Sequence, residues 1–127
     1  MRFPYDAKQR PSLPVSLRGP TATCDAVALV DSGADVNVLP WSLGLKLGFA
    51  WNPNKATIRV AGVAGRSFAM PVVLSMGFAE FSGVTQAFAW CQSDDVPLVL
   101  GQTNFFMEFD LCFFRSKLEF QAVRRAR

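Results

Sequence analysis

One carboxylate in this chain of 127 residues stands where an acid is expensive to keep. The apolar run Ala26-Val27-Ala28-Leu29-Val30 stops abruptly at Asp31-Ser32-Gly33, and the chain continues Ala34-Asp35-Val36-Asn37-Val38-Leu39-Pro40. Burial at the end of such a run raises a carboxyl pKa unless hydrogen bonds to the ionised form compensate. Carboxylates held that way are candidates for acid–base chemistry. Ser32 brings a hydroxyl that can hydrogen-bond locally or across an interface. Gly33 permits a tight turn or a close approach of another backbone. Asp, Ser and Gly are also ordinary turn residues. The feeding strand sets this turn apart, because it reads as apolar on both faces whereas turns usually follow half-exposed strands.

Other nucleophilic chemistry is narrowed by composition. The chain has no His, which removes Ser-His and Cys-His catalysis and His-based metal sites. Its three cysteines, Cys24, Cys91 and Cys112, are odd in number and lack metal-ligand spacing, so they read as free thiols in a reducing compartment. Asp94-Asp95 reads as a solvated turn, with too few oxygen ligands nearby for a metal. Trp41, Trp51 and Trp90 read as packing residues rather than as a cleft lining.

The elements that must position Asp31 are mostly short strands. Leu13, Val15 and Leu17 share one face of a strand over 11–17. Gly19-Pro20 makes a turn, and 23–30 is the strand that ends at Asp31. After Val36 to Leu39, Pro40 starts a helix in which Leu39, Leu43 and Leu47 share a face and Gly48 is the stop. Gly44 weakens that helix by about 1 kcal/mol relative to Ala. Residues 56–61 and 68–76 form a long hairpin around Gly62-Val63-Ala64-Gly65. Residues 84–91 and 96–100 are further strands, the second running into Gly101. Thr103 caps a short helix through Glu108. The last strands, 109–114 and 117–123, turn at Arg115-Ser116, with Leu118, Phe120 and Ala122 on one face and Lys117, Glu119 and Gln121 on the other. This pattern predicts an all-β chain, a small closed or partly closed barrel with one or two short helices.

Half the residues are hydrophobic, enough for a single core in one domain of 127 residues, with the core over about 11–122 and a short basic tail over 123–127. The net charge is +3, and Arg124, Arg125 and Arg127 near the end read as a solvated terminus. The N-terminus lacks an apolar signal core and no stretch approaches the roughly 18 apolar residues of a membrane helix. The expectation is a cytoplasmic protein that engages neither membrane nor nucleic acid.

The segment from Leu29 to Pro40 resembles the active-site loop of the retropepsin-like (retroviral-type) aspartic proteases, hydrophobic-hydrophobic-Asp-[Ser/Thr]-Gly-Ala. A second family feature follows, Leu98-Val99-Leu100-Gly101 and then a short helix, and the hairpin lies where the family carries its flap. Order and spacing agree over roughly 11–122. The resemblance, to a bacterial-type single-domain member, implies a closed β-barrel of the acid-protease type and an aspartic endopeptidase with no cofactor. It implies Asp31 as the catalytic acid, supported by Ser32, Gly33 and Ala34, and Asp35 with Gly62, Val63, Ala64 and Gly65 on the substrate. Leu100, Gly101 and Gln102 form the second loop. One Asp-[Ser/Thr]-Gly per chain implies a homodimer acting on a peptide or protein. Many members carry Arg where this chain has Gln102, an amide that would hydrogen-bond Asp35 without a charge-assisted pair.

Two other readings follow from the residues. A catalytically weak or inactive retropepsin-like module for dimerisation or peptide binding fits the departure at Gln102, since fold does not guarantee function. A nucleic-acid-binding barrel fits poorly, because Lys and Arg are dispersed and the Phe residues alternate as core residues do.

Overall fold

The computed structural model describes residues 1–60 and 68–126. Among these, the strands are β1 (Arg2–Pro4), β2 (Ser12–Arg18), β3 (Thr23–Val30), β4 (Val38–Leu39), β5 (Ile58–Arg59), β6 (Phe68–Phe78), β7 (Phe81–Trp90), β8 (Val99–Leu100), β9 (Phe109–Phe114) and β10 (Glu119–Arg124). Two short helices, α1 (Trp41–Leu47) and α2 (Phe105–Glu108), complete the regular structure with two single 3-10 turns.

Alternation decides the main sheet. Leu13, Val15 and Leu17 on β2 point inward, as do Val72, Leu74 and Met76 on β6 and Val84 and Phe88 on β7. Neighbours run β2-β3-β8-β4-β7-β6, and β6 returns to β2 through Ser16↔Gly77, Leu17↔Met76 and Arg18↔Ser75. Six strands therefore close on themselves as a barrel, which leaves no open edge among them. β5 hangs on β6 through Ile58↔Ala69 and Arg59↔Phe68. A separate antiparallel sheet, β1-β10-β9, joins the two ends of the chain.

The main core is built of aliphatic residues with Phe78 and Phe88 from the barrel strands, Phe105 from α2 and Phe109 and Phe120 from the separate sheet. Phe105 stacks on Phe109 at 4.9 Å, and Phe78 meets Phe109 at 5.0 Å. Trp90 stacks on Trp41 at 4.8 Å, with Trp51 edge-on at 5.5 Å, so the three tryptophans pack on one another as core residues. A smaller cluster of Val38, Ala69, Ala89, Cys91 and Val99 lies outside the barrel wall and takes in Leu29.

Several sequence expectations are corrected. β3 is not buried on both faces throughout: Val27 is 64% exposed, and the outer face is covered only from Leu29 onward, where that smaller cluster begins. Among the described residues the strand expected over 56–61 covers Ile58–Arg59 and pairs antiparallel with the start of β6, as the expected hairpin requires, while β6 pairs along most of its length with β7. Gly62, Val63, Ala64 and Gly65 lie outside the described residues. β1, which lacks a sequence signal, pairs with β10. β10 starts at Glu119 because Leu118 adopts a left-handed conformation (φ 52°) after the turn at Arg115–Lys117. It runs on through Arg124, which pairs with Glu108 at 3.6 Å, so the presumed tail is partly strand.

Helix ends also differ. Gly48 closes α1 at φ 97° as expected, and its N–H reaches back to Gly44 and Leu45. Asp94 lies exposed in a bend, as expected, and there also accepts the Ser42 N–H at 2.8 Å and the Ser42 hydroxyl, satisfying a free donor at the start of α1. Thr103 does not cap α2; Asn104 holds the cap position, while the Thr103 hydroxyl donates to the Asp35 carbonyl.

Candidate active site

Asp31 is placed by the ladder that ends just before it. β3 and β8 pair in parallel through Leu29↔Val99 and Val30↔Leu100, and the Asp31 N–H donates to the Leu100 carbonyl at 3.0 Å. The chain then turns back on itself. Asp31 Oδ1 accepts the Gly33 N–H at 2.9 Å, and its carbonyl accepts the Ala34 N–H at 3.1 Å. The carboxylate is half-buried, with one oxygen tied to the loop.

The second loop is fastened to the first along its length. The Gln102 N–H donates to Ala34 at 2.9 Å and the Thr103 N–H to Asp35 at 2.8 Å. Gly101 runs so close that a Cβ there would sit 2.5 Å from the Val36 carbonyl oxygen, which only glycine permits. The Gln102 side chain does not reach Asp35, as the sequence suggested; its amide donates to the Ser32 carbonyl at 2.7 Å. The Asp35 carbonyl is already engaged by Thr103, and its side chain is left exposed. Ser32, Gly33, Ala34 and Asp35 thus join Leu100, Gly101 and Gln102 in one paired-loop structure around Asp31.

Sequence reading missed the residue that locks this structure. Asn37 is 0% exposed. Its Oδ1 accepts the Gly101 N–H at 2.8 Å, and its Nδ2 donates to Gln86 Oε1 at 2.8 Å and to the Ala87 carbonyl at 3.1 Å. Its own N–H donates to Asn104 Oδ1 at 2.9 Å. Asn37 and Gln86 are the buried polar residues among those described, and buried polar groups persist only when fully bonded. The available signal was an amide inside the alternating apolar stretch Val36-Asn37-Val38.

Asp31 opens into a cavity of about 470 Å³. Leu29, Val30 and Ser32 line it beside Asp31, with Tyr5, Arg10 and Pro11 contributed from the N-terminal segment and Phe113 from β9. A second cavity of about 640 Å³, mostly apolar and bounded by Val27, Phe78 and Phe81, lies elsewhere and contains none of the paired-loop residues. No helix among the described residues is long and apolar enough to cross a membrane.

Comparison with family models gives no match, and neither does comparison with curated proteins. Solved structures do match. A retropepsin-like aspartic protease from Rickettsia conorii superposes with a TM-score of 0.67 at 18% identity, over 97% of this chain and 92% of that one. The EIAV protease, solved with the inhibitor HBY-793, gives 0.58 at 19% identity over 78% and 88%. At such identities the likeness speaks for architecture alone, and it agrees with the six-stranded closure: the chain has the retropepsin fold of the aspartic proteases.

Proposed function

We propose that the chain is half of an aspartic endopeptidase, completed by a second copy that brings its own Asp31. The observation that carries this reading is the placement of Asp31: half-buried, anchored by Gly33, and facing an open cavity. Two adjacent carboxylates share one proton, because like charges at close range resist ionising together. The ionised member takes a proton from a water held between them, and that water attacks the peptide carbonyl. The protonated member hydrogen-bonds the carbonyl oxygen and supplies a proton as the tetrahedral intermediate forms. The titration belongs to the pair rather than to either residue.

Since the chain holds one Asp-[Ser/Thr]-Gly, the second carboxylate comes from a twofold-related partner. Ser32, Gly33 and Ala34 support the loop, and Asp35 binds the substrate backbone. Gly62, Val63, Ala64 and Gly65, outside the described residues, are the further substrate contacts in this reading. Leu100, Gly101 and Gln102 hold the loop from behind.

A second reading, a peptide-binding or dimerisation module with little activity, is favoured by Gln102, whose neutral amide holds Ser32 where a charged pair would be stronger. Cleavage of a diverse peptide library from about pH 4 to 8, set beside Asp31→Asn, separates the two. Cleavage by the wild type alone supports the peptidase. Equal cleavage by both proteins sinks the mechanism, and none by either favours the binding module.

A further inference from the structure

The peptide that joins Leu100 to Gly101 is gripped from both sides. Its carbonyl accepts the Asp31 N–H at 3.0 Å. Its N–H donates to Asn37 Oδ1 at 2.8 Å. A trans peptide is planar and points these two groups in opposite directions, so the unit cannot rotate without disturbing both bonds. The series continues beyond Asn37. Its Nδ2 donates to Gln86 Oε1 at 2.8 Å, and Gln86 Nε2 donates in turn to the Thr85 carbonyl at 3.3 Å. A line of hydrogen bonds therefore runs from the Asp31 backbone, at the end of β3, through the second loop to the Gln86 side chain on β7.

Both side chains in this line are buried, Asn37 at 0% and Gln86 at 3% exposed. In such an interior, hydrogen bonds in series polarise and strengthen one another. Gly101 has no room to shift on its other side, because the Val36 and Ala34 carbonyl oxygens lie 2.5 and 2.8 Å from where its Cβ would be. Gln86 also stands between Val84 and Phe88 on the inward face of β7, where an apolar residue would be cheaper to bury. We infer that Gln86 is a positioning residue for Asp31, acting through Asn37 and the Leu100–Gly101 peptide. It sets where the acid's backbone sits from the far end of three hydrogen bonds. That this placement serves catalysis rests on the proposed peptidase reading, whereas the mechanical link does not.

Amide hydrogen exchange, followed residue by residue by NMR, reads the line directly. Gln86→Met keeps the length of the side chain and removes the acceptor, whereas Gln86→Glu keeps an oxygen facing Asn37. Losing one bond speeds exchange at Asp31 and Gly101 about fivefold beyond any change in the β2–β3 ladder, and Gln86→Glu removes that excess. Leu17→Ala is the control: it opens a cavity in the core and speeds exchange along the ladder with no excess at Asp31 and Gly101. In the wild type one rotation frees both amides, so their protection factors agree, and unequal factors overturn the inference without any variant. Exchange at the two amides that changes only in step with the ladder in Gln86→Met overturns it too, as does an excess that persists in Gln86→Glu. On a cleaved peptide, Gln86→Met lowers kcat about fivefold and leaves KM unchanged. A wild type that cleaves nothing, with the exchange pattern as expected, overturns the peptidase reading and leaves the positioning of Asp31 by Gln86 standing.

Discussion

The side chain of Asn37 accepts the backbone N–H of Gly101 at 2.8 Å in the buried interior, joining the segment that carries Asp31 to the loop that supports it. Replacing Asn37 by Leu strands the Gly101 N–H and the Gln86 amide together. Each buried group left without a partner costs roughly 1–3 kcal/mol. The expected result is a lower denaturation midpoint for Asn37→Leu and for Gln86→Leu. The double variant should lose less than the two losses added, since both remove the same bond. Strict additivity in urea titrations would show that the two amides do not act as a unit.

Gly44 tests packing against propensity. An alanine in a helix interior gains about 1 kcal/mol over glycine. Here its Cβ would lie 2.1 Å from Trp90 Nε1, while that N–H donates to the Trp41 carbonyl at 3.2 Å. Overpacking of this kind costs about 1–3 kcal/mol. Gly44→Ala therefore destabilises the protein, and a raised melting temperature would mean that the tryptophan stack yields easily.

Hydrogen bonds from the Ser42 hydroxyl and N–H hold the Asp94 carboxyl below its ordinary value. A carboxyl depressed in the folded state binds protons more readily when unfolded. Its contribution is therefore present above the unfolded pKa of about 4 and is lost as pH falls through the lower folded value. Asp94→Asn should melt lower than wild type near neutrality, and the gap should narrow in acid. A gap that is constant with pH would mean that the carboxylate's charge is irrelevant to the start of α1.

Gln102→Ala removes one exposed hydrogen bond, worth about 1 kcal/mol at most, so thermal stability should change little. If the pair of loops serves catalysis, kcat/KM on a cleaved peptide falls. An unchanged kcat/KM would show that the Ser32 carbonyl needs no support from this amide.

The thiols should separate by burial. Cys112 is exposed, Cys24 is half-buried, and Cys91 is buried, which raises its thiol pKa. Titration with a chromogenic disulfide should modify Cys112 first and Cys91 only on unfolding. Rapid modification of Cys91 in native conditions would indicate opening of the cluster around Val38 and Val99.

Much of this architecture is legible in the residues themselves. The alternation of Leu13-Val15-Leu17 and of Phe120-Ala122 locates strands, and the Asp31 tripeptide at the end of an apolar run points to the candidate site. What escapes is set by tertiary partners. β1 has no periodicity of its own and is a strand because β10 offers it an edge. Gly44 looks like a helix weakness until Trp90 is seen against it. Asp94 and Thr103 are polar residues of ambiguous use, and their partners, Ser42 and Asp35, are distant in sequence. Gln102 reaches the Ser32 carbonyl rather than the Asp35 side chain, a choice between two neighbours on one loop that residue types do not reveal. Asn37 is a single amide whose importance depends on Gly101 and Gln86 arriving from far along the chain.

The parallel ladder Leu29↔Val99 and Val30↔Leu100 carries a kinetic consequence. Asp31 is made well before its backbone anchor at Leu100 and the brace at Gly101, which lie far along the chain from it. Pairings so remote in sequence make folding slow, because chain entropy is lost before the contacts reward it. On a ribosome, the nascent chain would carry the acid through some seventy further residues without the geometry to hold it. The loop could take its native form only after Leu100 and Gly101 have emerged.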